Sequence, residues 1–133
     1  ITLKAEKKLW LDIKKNCTHI RWNNLQFSGV DGIPDLFGYH NTCGFFTVEL
    51  KVSKGNKIRL SPMQIQFHHL HPDVSWILVR VDDQSLPKLF PGSAVRDLVR
   101  LGPCELAALS PDSWPELERL LVRLQPDEEL TPP

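Results

Sequence analysis

The first apolar positions of the chain recur at helical spacing. In residues 2–15, apolar side chains stand three and four positions apart and lysines fill the positions between them, which predicts an amphipathic helix. The predicted apolar face consists of Leu3, Leu9, Trp10 and Ile13. Glu6 falls on the same face, where an acid must either reach solvent or meet a cation.

The next part of the chain follows the period of two that is typical of strands. A β-like stretch around Ile20 and Trp22 ends in a loop containing two glycines and a proline. Residues 35–39 and 45–52 then predict two strands, and the five residues between them suit a β-hairpin. In the second strand, apolar side chains occupy one face and Thr47, Glu49 and Lys51 occupy the other.

A capped helix and a buried strand are predicted next. Ser61 suits the N-cap, Pro62 the first helical position and Gln64 the capping-box position. An apolar stripe is expected at Met63, Phe67 and Leu70. Residues 74–81 are almost continuously apolar, which predicts a strand buried on both faces.

The pattern weakens after residue 82. Residues 93–101 predict a helix closed by Gly102, with Val95, Leu98 and Val99 facing inward. Residues 113–124 predict a second helix, and residues 126–133 a frayed tail. The apolar stripe of the second helix is Leu117, Leu120, Leu121 and Leu124. We therefore expect a core with an accessory helix over residues 1–101 and a proline-rich extension over residues 102–133.

Composition narrows the class of protein. With 133 residues, 41% of them hydrophobic and 24% charged, the chain has the size of one globular domain. Its three cysteines, Cys17, Cys43 and Cys104, form no C-x-x-C pair, so neither a disulfide framework nor a thiolate zinc site is indicated. No apolar run approaches the roughly 20 residues that span a bilayer, and no leader precedes the first helix. We expect an intracellular, cytoplasmic protein.

Charge is unevenly distributed although the net charge is zero. Residues 1–60 hold 10 Lys/Arg and 5 Asp/Glu, a difference of +5, whereas residues 61–133 hold 6 and 11, a difference of −5. The basic half, residues 1–60, is a candidate face for binding a polyanion. On charge alone, ordinary solvated lysines are an equally good explanation of the excess of basic residues. The candidate phosphate contacts are Lys7, Ser28, Lys54, Lys57 and Arg59.

Two carboxylates and a lysine are the candidate chemical groups. Folding the hairpin about Thr42 places Asp35 opposite Glu49, and like charges so placed repel unless a cation compensates them. Oxygen ligands of this kind suit Mg²⁺ or Mn²⁺. Lys51 lies two positions beyond Glu49 on the same face, where its ammonium can orient water and stabilise charge on a phosphate. This set suits phosphodiester hydrolysis.

These residues carry a family resemblance. GIPDLFGY followed by FFTVELKV resembles the signature of the PD-(D/E)XK nucleases, and LSPMQ followed by an apolar strand is similar to the virus-type replication-repair (VRR-NUC) branch. These segments are also similar, more loosely, to archaeal-type Holliday junction resolvases. The resemblance covers roughly residues 3–81. It implies an α/β, restriction-endonuclease-like core with a central mixed β-sheet flanked by α-helices, and a role in DNA repair or recombination, which a virus-encoded protein could serve in its host cell.

The resemblance also implies roles for single residues. Asp35, Glu49 and the backbone carbonyl of Leu50 would hold Mg²⁺ or Mn²⁺, Lys51 would be the catalytic lysine, and Glu6 would complete the metal site. Gln64 would be the catalytic glutamine of the following helix. The alternative for Glu6 is a favourable acid in the first helical turn, and for Gln64 a capping partner of Ser61, with one amide hardly able to fill both roles.

Three histidines near the predicted helix, His68, His69 and His71, are interpreted as satisfied or exposed rather than as zinc ligands, because no cysteine or acid stands at a useful spacing.

Three functions remain open from the sequence. The first is a homodimeric, metal-dependent DNA endonuclease acting on branched or four-way-junction DNA. The second is a general or exonucleolytic nuclease acting on DNA or RNA. The third is a nucleic-acid-binding module without catalysis, against which the retained Asp35, Glu49 and Lys51 argue. A possible dimer seam is the leucine stripe of residues 117–124, although packing on the chain's own core is an equal alternative for it.

Overall fold

A computed structural model describes residues 2–26, 31–82 and 86–133, and of Thr2 and Leu3 only the backbone. Its helices and strands are, in chain order, α1 (Thr2–Asn16), β1 (Arg21–Asn24), β2 (Leu36–His40), β3 (Gly44–Ser53), α2 (Pro62–Leu70), β4 (Ser75–Val81), β5 (Lys88–Pro91), α3 (Val95–Leu101) and α4 (Trp114–Leu121). A 3-10 turn, Gly92–Ala94, leads into α3.

The five strands form one mixed sheet in the order β1-β2-β3-β4-β5. Only β3 and β4 are parallel, and the other neighbouring pairs are antiparallel. A parallel pair needs a crossover connection, which α2 supplies. The predicted α/β class, with a central mixed sheet flanked by helices, is confirmed.

Each face of the sheet packs against its own helices. On one face, side chains of β3 and β4 join α1 and α4 in a core whose members include Leu9, Ile13, Val48, Leu50, Leu78, Leu117 and Leu121. On the other face, Ile77, Val79 and Val81 of β4 pack with α3 and with Ile65 of α2. Because side chains alternate along a strand, Glu49 and Lys51 of β3 belong to this second face.

The hairpin register agrees with the predicted one. Leu36 pairs with Val48 and His40 with Gly44, so continuing the ladder by one step sets Asp35 opposite Glu49. The connection is three residues long, two fewer than predicted, because both strands extend toward the turn. Gly44 ends the turn with a φ of 76°, which glycine adopts without strain. Shortening the loop symmetrically leaves the register unchanged.

Helix α2 is capped as predicted, but its predicted apolar stripe is wrong. Ser61 accepts a hydrogen bond from the Gln64 amide and Pro62 occupies the first turn. Met63 and Leu70 are 51% and 62% exposed, whereas His68 is fully buried. The helix turns its polar residues toward the sheet because the facing residue there is Glu49.

The second half of the chain departs further from prediction. Strand β5 was not predicted, and Val99, expected to face inward, is 42% exposed. Gly102 closes α3 as expected, with a φ of 87°. A β-carbon at Gly102 would lie 2.1 Å from the backbone oxygen of Asn56, so this glycine also permits a close contact with the loop after β3.

The C-terminal residues pack on the main core. Leu117 and Leu121 are buried with α1, and Leu120 and Leu124 are partly buried against the same cluster. The leucine stripe is therefore unavailable as a dimer seam. The tail is also anchored, since the carbonyl of Thr131 lies 3.1 Å from Nε2 of His40. The boundary predicted between residues 101 and 102 stays a prediction.

The cysteines and the helix lengths bear on two remaining sequence expectations, those on disulfides and on membrane spans. Cys17, Cys43 and Cys104 are all free. None of the helices that the structure describes has the length and apolar character to cross a membrane.

Candidate active site

Two carboxyl groups face each other where β2 begins: Asp35 directly before β2 is partly buried, and Glu49 in β3 is buried. Glu49 is 1% exposed, and the β2–β3 ladder, continued by one step from the Leu36–Val48 pair, sets Asp35 opposite it. Two like charges at facing positions repel, and the charge of Glu49 accordingly raises the pKa of Asp35. The predicted proximity of the two acids is confirmed.

Pro34, the residue before Asp35, affects the hydrogen bonding between β2 and β3. Thr47 N donates to Val74 O at 2.8 Å, so odd-numbered residues of β3 direct their backbone toward β4 and Leu50 directs its own toward β2. The ladder sets Pro34 opposite Leu50, and proline has no N–H to donate to the Leu50 carbonyl. The missing donor concerns only the Leu50 carbonyl; the Leu50 N–H, a separate group, donates to Oδ2 of Asp35 at 2.7 Å. The backbone ladder between β2 and β3 thus ends at Pro34, and beyond the ladder the side-chain carboxylate of Asp35 accepts the hydrogen bond of the Leu50 amide.

Burial raises the pKa of both acids. The pKa of Asp35 is raised to about 7, first by desolvation and then by the charge of Glu49. The pKa of Glu49 is also raised to about 7 by desolvation, against the opposing effect of the Lys51 charge. Near neutral pH the pair therefore holds less than its full negative charge in the absence of a cation.

Gln64 connects the acids to the lysine. Its Oε1 accepts from the backbone N–H of Ser61 at 2.9 Å and lies 3.5 Å from Nζ of Lys51. Its Nε2 donates to Oε2 of Glu49 at 3.3 Å. The expectation that one amide could hardly serve both as capping partner and as site residue is wrong, because the oxygen caps the helix while the nitrogen reaches Glu49.

His68 is the site residue that sequence reasoning missed. Its Nε2 lies 3.5 Å from Oε1 of Glu49, and its Nδ1 lies 3.0 Å from the hydroxyl of Ser75. Burial lowers the pKa of His68 to about 4, so the ring is neutral at physiological pH. His69 and His71 are exposed, as expected. The available signal was its spacing of four from Gln64, which places both side chains on one face of α2.

Glu6 approaches the same charges from α1. Its pKa is raised to about 6, chiefly by desolvation, while Lys51 lowers it and Asp35 raises it. Glu6 also raises the pKa of Glu49. Glu6 is thus electrostatically coupled to Asp35, Glu49 and Lys51, and its role as a metal ligand stays a prediction.

The donor set fits a hard divalent cation. Oε1 of Glu49 is buried and has no hydrogen-bond partner among the residues described. Asp35 and the Leu50 carbonyl offer further oxygen ligands, and a cation would relieve the crowding of the acids. Within the described ranges, no three His, Cys, Asp or Glu side chains are gathered as a metal-binding group. Water or phosphate oxygens would therefore have to complete the coordination.

The candidate phosphate contacts that the structure describes are exposed, and they lie close in sequence to Glu6 or Lys51. Lys54, Lys57 and Arg59 lie on the loop that joins Lys51 to α2, and Lys7 follows Glu6 on α1. Asn56 holds this loop in place by donating to Leu101 O at 2.8 Å and accepting from Cys104 N at 2.7 Å. Ser28 lies outside the described residues.

Comparisons with known proteins give structural likenesses but no match in sequence. No protein-family model matches the chain, and no curated protein sequence matches it. Hjc, a Holliday junction resolvase from the archaeal hyperthermophile Archaeoglobus fulgidus, is similar over 65% of this chain and 74% of its own, with 16% identity and a TM-score of 0.49. Likeness at this level establishes neither a shared family nor a shared activity.

Proposed function

We propose that the chain is a phosphodiester hydrolase, a Mg²⁺- or Mn²⁺-dependent DNA endonuclease that acts on branched or junction DNA. The observation that carries the proposal is the facing pair of carboxyl groups, Asp35 partly buried and Glu49 buried, with Gln64 linking Glu49 to Lys51. Two acids and an amine on one sheet face are the groups that metal-assisted phosphodiester hydrolysis requires.

The metal would be held by Asp35, Glu49 and the Leu50 carbonyl, with Glu6 near enough to add charge. When bound, a divalent cation supplies Lewis acidity toward a phosphate oxygen and makes water a better nucleophile. Two hydrogen bonds prepare Asp35 and Glu49 for this role, from the Leu50 amide at 2.7 Å and from Gln64 at 3.3 Å. Less reorientation of the ligands is then needed on binding.

Lys51 would act on the substrate. Its ammonium can hold the attacking water and stabilise the negative charge that develops on the phosphate. The contact between Lys51 Nζ and Gln64 Oε1 is 3.5 Å, which is long for a hydrogen bond and leaves the amine free to turn toward a phosphate. Gln64 would therefore position the amine without competing strongly for it.

The basic half of the chain supports a nucleic-acid substrate, with Lys7, Lys54, Lys57 and Arg59 as exposed phosphate contacts. Cutting two strands of a junction requires two active sites, which a homodimer would supply. Since the leucine stripe packs on the chain's own core, the dimer would have to use another surface.

The test is a cleavage panel with Mg²⁺, Mn²⁺ or EDTA and matched substrates of one sequence: linear duplex, single strand, flap, four-way junction and RNA. We expect metal-dependent cuts near branch points and no cleavage by Glu49→Gln. Equal activity in EDTA would refute metal dependence. A protein that remains monomeric in light scattering and cuts linear duplex as fast as a junction would refute the resolvase and leave a general nuclease.

A further inference from the structure

Three aromatic side chains lie together at the surface of the hairpin. Phe37 and Phe45 are stacked, with ring centroids 4.9 Å apart and planes at 21°, and Tyr39 lies 4.7 Å from Phe45. Phe45 is 58% exposed, which is unusual for a side chain with so much apolar surface. We call Phe37, Tyr39 and Phe45 the aromatic platform.

The platform occupies the same face of the sheet as the candidate active site. Phe45 precedes Glu49 by four residues on β3, and Phe37 pairs with Thr47, two residues before Glu49. At about 3.3 Å per residue, the two rows of the platform lie about 7 Å and about 13 Å from Glu49 along the strand. A stacked nucleic-acid strand advances about 3.4 Å per nucleotide, so these distances correspond to roughly two to four nucleotides.

Polar groups of β1 border the rings. The ladder pairs Arg21 with Tyr39 and Asn23 with Phe37, so both side chains lie on the platform's face. Together with the platform they line a cavity of about 270 Å³. A guanidinium can contact phosphate or stack on a base, and an amide can bond to a base edge. This combination suits a nucleotide better than a second protein surface, which would have to bury the Arg21 charge.

We propose that the aromatic platform binds unpaired nucleobases of the substrate, roughly two to four nucleotides from the phosphate that is cut. The inference rests on the proposed nuclease function and refines its substrate: branched DNA is recognised through bases that are not paired near the branch. Bases in a duplex keep their faces against their neighbours, whereas unpaired bases offer both faces for stacking.

The test measures binding in EDTA, so that it does not depend on cleavage. Fluorescence anisotropy compares a labelled single strand with a duplex of the same sequence, and 2-aminopurine in the single strand reports stacking directly. We expect Phe45→Ala to weaken single-strand binding roughly tenfold or more and to abolish the 2-aminopurine response, with duplex binding almost unchanged. Phe45→Leu, which keeps the apolar side chain but removes the ring, should behave like Phe45→Ala.

Matched controls distinguish a base-stacking site from an apolar surface that associates non-specifically. Leu70→Ala removes another exposed apolar side chain, 62% exposed, and should change neither measurement. If Phe45→Leu binds single strands as tightly as the unsubstituted protein, the platform is not a base-stacking site. If Phe45→Ala instead converts a dimer into a monomer in light scattering without affecting single-strand binding, the platform is a self-association surface and the inference is overturned.

Failure of this inference differs from failure of the proposed function. Phe45→Ala should leave the metal requirement of any cleavage unchanged, because Phe45 lies outside the carboxylate site. Loss of selectivity for branches with cleavage retained supports the platform. If the unsubstituted protein cuts no nucleic acid, the nuclease proposal fails, while the binding measurement in EDTA still decides whether bases stack on the platform.

Discussion

Nε2 of His68 lies 3.5 Å from Oε1 of Glu49, and neither atom has a hydrogen-bond partner among the described residues. The distance is long for a hydrogen bond, so the two buried atoms face each other without satisfying each other. Ser75 contacts the opposite ring nitrogen at 3.0 Å. A modest movement of Glu49 on cation binding would allow the neutral ring to donate to it, which would make His68 a positioning residue for Glu49.

The first prediction concerns this contact. His68→Ala should raise the magnesium concentration needed for half-maximal cleavage by roughly 10- to 100-fold, because groups that orient a metal ligand have effects of this size. His68→Gln, which keeps a donor, should recover part of the loss. His69→Ala, at the exposed neighbouring position, is the matched control. A lower melting temperature with an unchanged magnesium requirement would show that His68 only fills space.

The second prediction concerns stability and pH. The folded-state pKa values of Asp35 and Glu49 are raised to about 7 from 3.8 and 4.5. Acids with raised pKa values stabilise the fold at low pH, and this contribution is lost as pH rises through about 7. Asp35→Asn and Glu49→Gln should therefore melt about 3 °C or more above the unsubstituted protein at pH 8 in EDTA, with little difference at pH 4.

Magnesium provides the control for that prediction. At pH 8 the ion should raise the melting temperature of the unsubstituted protein and leave the two variants nearly unchanged, because each variant has lost a charged ligand. Variants that melt below the unsubstituted protein at pH 8 would contradict the crowding of the two acids.

The third prediction separates catalysis from binding. Lys51→Ala should reduce turnover by a factor on the order of 100 or more while leaving DNA affinity nearly intact. Replacing Lys54 and Lys57 together by Ala should weaken binding and reduce the slope of log affinity against log salt by roughly 2. The matched control is Lys14→Ala with Lys15→Ala, an equal charge change in the last turn of α1. Equal salt slopes for the two double variants would remove the loop from the binding surface.

The fourth prediction concerns the two roles of Gln64. Gln64→Glu keeps an oxygen for the Ser61 amide but replaces the donor to Glu49 with a repelling carboxylate. We expect helix α2 to remain capped and cleavage to fall on the order of 100-fold. Ser61→Ala removes the other half of the capping box, and should lower stability by about 1 kcal/mol with cleavage nearly normal. Thermal melts and cleavage rates on the same samples distinguish the two effects.

The local order of the site follows from sequence alone. Alternation along β3 places Glu49 and Lys51 on one face, and the symmetry of the hairpin sets Asp35 opposite Glu49 whichever loop length is chosen. The cap at Ser61 fixes the start of α2 because serine and proline satisfy the helix terminus locally. These relationships depend on neighbours in the chain, so periodicity and turn chemistry are sufficient to predict them.

Only the tertiary structure decided which face of α2 would be buried. The sequence suggested Met63, Phe67 and Leu70, but Gln64 and His68 turn inward because the helix crosses the sheet over Glu49. The same holds for Leu117 and Leu121, which a stripe pattern leaves free for either a partner or the chain's own core. Apolar residues at helical spacing show that a helix has an apolar face. What that face packs against depends on how elements far apart in the chain cross one another, and no local sequence pattern encodes that crossing.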